Sequence, residues 1–111
     1  MIQATDGRRR TVYDLGAFVL KVDKPAFRGS CRREAARWEQ AVREGWADLL
    51  CPVLLSGETW LVMPKATIAD WATDPNLPAL RVALWARDIV DTGKGNAGYL
   101  GGQLVAVDYE S

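Results

Sequence analysis

Five polar side chains in this 111-residue sequence have the chemistry to hold phosphates or cations. Lys21 lies in the half-apolar run "FVLKV" and Glu34 in "REAARW"; Asp91 and Asn96 are spaced as Asp-x-x-x-x-Asn in "DTGKGN", and Asp108 follows an apolar run in "VDYE". Carboxylate and amide oxygens ligate hard cations, and an ammonium group attracts phosphate oxygens. Each residue also has a plain reading. A strand lysine snorkels at an edge, a helix glutamate is solvated, the Asp-x-x-x-x-Asn spacing arises by chance, and a strand-terminal aspartate opens a turn. The absence of histidine removes the usual zinc ligand and the usual general base. Cys31 and Cys51, with no Cys-x-x-Cys spacing, give neither a disulfide framework nor a metal knuckle, and are expected as reduced thiols in a cytoplasm.

The elements that must position these groups fit one domain, 1–111, with 49% hydrophobic and 25% charged residues. "IQAT" and "TVYDL" are short strand candidates flanking the turn signal Asp6-Gly7, and "AFVLKV" after Gly16 is a third strand. From Ser30, a candidate cap, the period becomes helical through Ala35, Trp38, Ala41 and Val42 until Gly45. "CPVLLSGETWLVMPK" predicts a second hairpin turning at Ser56-Gly57, with Trp60 to Met63 as a buried strand ended by Pro64. A loop containing Pro75 and Pro78 precedes a second helix over Leu80 to Val90, and a final hairpin turns at Gly101-Gly102. The predicted order is β-β-β-α-β-β-α-loop-β-β.

That order, with the five polar residues in it, resembles the ATP-binding lobe of the protein kinase-like superfamily, which includes the aminoglycoside and choline phosphotransferases. The likeness spans nearly the whole chain. It implies an α+β fold: an antiparallel five-stranded sheet with one packed helix, then a second helix, a catalytic-like loop and a terminal β-hairpin. It further implies ATP and Mg²⁺ as cofactors, with Lys21 on the phosphates, Glu34 fixing Lys21, and Val19 and Met63 in the nucleotide site. Asp91 would take the acceptor proton, and Asn96 and Asp108 would hold the metal. Trp38 takes the place of an apolar spine residue. The sequence departs from the pattern at several positions. No Gly-x-Gly-x-x-Gly joins the first strands, only Asp6-Gly7 followed by Arg8, Arg9 and Arg10. Ile89 replaces a common histidine, Gly93 stands where the family carries lysine or histidine, and Glu110 stands where protein kinases use glycine. Three residues follow Asp108, so no helical C-lobe is expected, and the chain is similar to compact kinase-like proteins of bacteriophages.

Three function classes follow. The first is a minimal nucleotide-binding domain with weak or partner-dependent phosphotransfer. The second is a non-catalytic kinase-like protein that inhibits or redirects a macromolecular partner through Arg28, Arg32 and Arg33 or through Trp46 and Trp71, with Trp38, Trp60 and Trp85 assigned to the core. The third, a nucleic-acid binder through the arginines, ranks lowest because no nucleic-acid motif accompanies them. Net charge is zero overall, although residues 1–37 carry nine basic against four acidic side chains. The N-terminus lacks an apolar leader-like segment, and the longest apolar run is far too short to span a bilayer.

Overall fold

The computed structural model describes residues 2–110. Five strands form one antiparallel sheet: β1 (Gln3–Asp6), β2 (Arg10–Asp14), β3 (Phe18–Asp23), β4 (Leu55–Ser56) and β5 (Trp60–Pro64), in the order β1-β2-β3-β5-β4. The register sets Val12 opposite Lys21, Val19 opposite Met63, and Lys21 opposite Leu61. Because side chains alternate across a strand, Arg10, Val12, Val19, Lys21, Leu61 and Met63 share one face. That face is buried at Leu61 and Met63, while Phe18 and Trp60 on the other face are exposed.

Helix α1 (Ser30–Glu44) packs on the buried face. Ser30 is not its cap. Gly29, at φ +97°, occupies the N-cap, a backbone angle that suits glycine, and the side-chain acceptor comes from β3. Asp23 accepts from the Gly29 amide at 2.9 Å and from the Cys31 amide at 2.8 Å, so two donors at the helix start are satisfied by a single carboxylate. Ser30 is buried as the first helical residue, and its Oγ makes no hydrogen bond among the described residues. Gly45 ends the helix in the left-handed conformation, its amide donating to the Ala41 carbonyl, as its place in the sequence predicts. Val42 faces solvent rather than joining the stripe of Glu34 and Ala41.

The second helix, α2, runs over Leu77–Trp85 rather than Leu80–Val90. Pro78 lies in its first turn, where a missing amide costs no helix bond, and Asp88 at φ +61° closes the exit. The Ile89 amide folds back onto the Leu84 carbonyl, which places Ile89 in the core. A short strand absent from the predicted order, β6 (Thr67–Ile68), pairs with β7 (Ala97–Leu100), which pairs with β8 (Gln103–Ala106). Gly98 permits the close approach, since a Cβ there would lie 2.8 Å from the Thr67 carbonyl oxygen. Gly101 and Gly102 both have positive φ, as a two-residue hairpin turn requires.

The segment leading into β4 meets β8 where the Cys51 amide donates to the Ala106 carbonyl at 2.8 Å, and one core serves both sheets. Trp46 belongs to that core at 4% exposure, beneath the Arg87 guanidinium, which corrects its assignment to the surface. Trp85 and Trp60, assigned to the core, are partly out of it at 53% and 38%. Trp85 is the last residue of α2, and Trp60 opens β5 on the outer face. The architecture is α+β, with no helical lobe beyond α1 and α2 among the described residues, and no helix long and apolar enough to cross a membrane.

Candidate functional site

Alternation along three paired strands brings Val12, Val19, Lys21 and Met63 to one wall of a cavity of about 470 Å³. Asp91 and Gly95 in the loop after α2, and Val107, Asp108 and Glu110 after β8, line the same cavity. Strand β8 ends at Ala106, so Asp108 lies two residues beyond it rather than at its tip. What aims Asp108 is the fixing of residues 107–109 from both sides. The Val107 amide donates to the Asn96 carbonyl at 2.9 Å, Lys21 Nζ donates to the Val107 carbonyl, and the Tyr109 amide donates to Glu34 Oε2 at 2.7 Å. Tyr109 is fully buried, its hydroxyl donating to the Cys51 carbonyl at 2.7 Å.

Glu34 is the centre of this arrangement. Its carboxylate has no solvent exposure, and Oε1 accepts from Lys21 Nζ at 3.0 Å and from Arg10 Nη1. Burial alone would raise the Glu34 carboxyl, but the Lys21 and Arg10 charges and the Tyr109 amide outweigh it, holding the group below its ordinary range. Arg10 then crosses to the other wall, donating through Nη2 to Asp108 Oδ1 at 2.7 Å. Its side chain is 6% exposed. Burial opposes the Arg10 charge, but Glu34 and Asp108 raise its already high pKa further. For Asp108 the balance falls the other way: burial raises the carboxyl, and Glu34 and Glu110 add to it against the pull of Lys21 and Arg10. Burial also pushes the Cys31 thiol up to about 12 and the Cys51 thiol up to about 11, so neither is a reactive thiolate.

The residues singled out from the sequence divide as follows. Lys21 and Glu34 form a buried ion pair, and Val19, Met63, Asp91 and Asp108 line the cavity in front of it. Asn96 does not line it: its side-chain amide donates to Asp91 Oδ1 at 2.8 Å and to the Asp91 carbonyl at 3.1 Å, which ties the loop to itself. Arg28 and Arg32 are exposed and make no ion pair among the described residues, while Arg33 reaches Glu110 at 3.3 Å. Trp71 is 51% exposed beneath the Arg81 guanidinium, and Trp46 is withdrawn into the core.

Arg10 is the site residue that sequence reasoning missed. A strand begun at Thr11 leaves Arg10 in the turn with Arg8 and Arg9; begun one residue earlier, it puts Arg10 on the face of Val12 and Lys21. A Mg²⁺ ion held by Asn96 and Asp108 does not fit this arrangement. Asp108 accepts from a guanidinium, and the Asn96 amide is turned to Asp91 and away from the cavity. No protein-family model matches the chain, and no curated protein matches it.

Proposed function

We propose that the chain is a kinase-like nucleotide-binding domain whose ligand lies in the cavity between β1–β3, β5 and residues 107–110. The observation that carries this reading is the buried Lys21–Glu34 pair at the back of that cavity, with apolar Val19 and Met63 beside it. A lysine with one donor on Glu34 and one on Val107 keeps a third for a phosphate oxygen, and two apolar side chains suit the flat face of a base. Asp91, on the opposite wall with its orientation fixed by Asn96, is the group to accept a proton from an acceptor hydroxyl. Phosphotransfer is weak or depends on a partner, because nothing among the described residues forms a platform that would hold an acceptor for in-line attack. The two buried free thiols suit a reducing cytoplasm.

Titration with ATP and ADP by calorimetry tests the assignment. Wild type binds, and Lys21→Met weakens binding about tenfold or more, because the charge facing the phosphates is lost while Arg10 still pairs with Glu34. Absence of binding by wild type at millimolar nucleotide overturns it.

A second reading, a kinase-like binding protein of the phage type that acts on a macromolecule, is favoured by one observation. Arg28 and Arg32 stand exposed without ion pairs among the described residues. Charge reversal at both slows association with a protein captured by wild type and leaves nucleotide affinity unchanged.

A further inference from the structure

We propose that the cavity takes a nucleoside phosphate without a divalent cation, the Arg10 guanidinium supplying the positive charge beside Asp108 where a metal would otherwise sit. This rests on the nucleotide-binding reading and deepens it. Arg10 lines the cavity and bridges Glu34 to Asp108, the latter at 2.7 Å, with a side chain only 6% exposed. The four charges Arg10, Lys21, Glu34 and Asp108 balance among themselves, two against two. A divalent ion on Asp108 would have to displace that guanidinium or lie against it, and the second oxygen ligand it would need, from Asn96, is not on the wall.

What a metal normally contributes to phosphate binding is charge, and arginine can replace that charge with a planar fork of donors matched to phosphate oxygens. Arg10 spends one donor on Glu34, one on Asp108 and one, at 3.9 Å, on the Cys31 sulfur, which leaves two of its five N–H groups. Two further arginines line the same cavity. Arg8 is exposed with no ion pair among the described residues, and Arg9 meets Glu110 only at 3.7 Å with 41% of its side chain exposed, so both can turn to a phosphate. Arginines from the β1–β2 turn would thus cover the phosphates, in a loop whose sequence, Gly7-Arg8-Arg9, has no run of glycines to do so through backbone amides.

Calorimetric titration of wild type with ADP and ATP, in EDTA and in excess Mg²⁺, reads this directly. Affinity in EDTA equal to or tighter than that in Mg²⁺ supports metal-free binding. Affinity that appears only with Mg²⁺ overturns it while leaving the nucleotide-binding reading in place, and no binding under either condition overturns both. Arg8→Gln, at an exposed position that leaves the buried cluster intact, weakens ADP binding in EDTA several-fold, and Arg10→Lys retains more affinity than Arg10→Gln. Unchanged ADP affinity in both Arg8→Gln and Arg10→Gln, each folded by circular dichroism, would also sink the proposal.

Discussion

Glu34 carries one negative charge into a place with no solvent and receives donors from three separate parts of the chain: Arg10, Lys21 and the Tyr109 amide. Removing one partner of such a group is costlier than the pair itself is stabilising, because the charges left behind stay buried. Glu34→Gln is therefore expected to destabilise the fold by about 3–5 kcal/mol at neutral pH, measured by chemical denaturation. The pH dependence follows from the direction of the shift. The folded carboxyl lies below its ordinary value of 4.5, so the stabilisation from its ionised form is complete above that value and is lost as pH falls through the folded one. Stability of wild type should fall on acidification below about pH 4.5, and the Glu34→Gln profile should be flatter there. At this scale the sequence was legible where a residue's type was unusual for its surroundings. Lys21 stood out inside an apolar strand, whereas Arg10 was hidden as the third of three arginines until the strand boundary and register assigned it a face.

Among the elements, the strands and the first helix could be read from their periods, and their ends from glycines. The mismatches share a cause: tertiary partners. The start of α1 is fixed by Asp23, seven residues before Ser30 and on another element, which no local cap pattern reveals. Two-residue β6 is too short to show a period and exists because β7 lies beside it. Helix α2 stops at Trp85 because Ile89 is drawn back into the core, although the apolar residues continue to Val90. Asp23→Ala is expected to cost about 1–2 kcal/mol in urea denaturation, as for loss of other side-chain caps, with the amides of Gly29 and Cys31 exchanging faster. Ser30→Ala removes a hydroxyl that makes no hydrogen bond among the described residues, and is expected to be neutral or stabilising in the same assay.

At the scale of the molecule, the site is a seam between the five-stranded sheet and the loop after α2, closed by residues 107–110. Tyr109 fastens that seam: it is fully buried and hydrogen-bonded at both its amide and its hydroxyl. Tyr109→Phe should cost about 1–2 kcal/mol by leaving the Cys51 carbonyl unpaired, with the near-ultraviolet circular dichroism signal of buried Trp46 preserved. Tyr109→Ala should cost several times as much and melt both sheets in a single transition, since one core serves both. The element order was legible in the sequence, and the α+β architecture followed from the resemblance that this order and five polar residues carry. The shape of the cavity was not legible, because it is made by how the loop after α2 and residues 107–110 are set against the five-stranded sheet.

The contacts of Glu34 also set an order of events in time. Its partners lie 24, 13 and 75 positions away along the chain, so the pairs with Arg10 and Lys21 can form from the first third of the sequence while the bond to Tyr109 waits for nearly all of it. Contacts of such long separation are made late, after the loop-closure entropy of the intervening chain has been met. During synthesis the sheet and α1 can therefore assemble with the carboxylate only partly satisfied, and the cavity acquires its far wall last. Mutations at Tyr109 should then speed unfolding while barely slowing folding, and those in the β2–β3 hairpin should do more to slow folding.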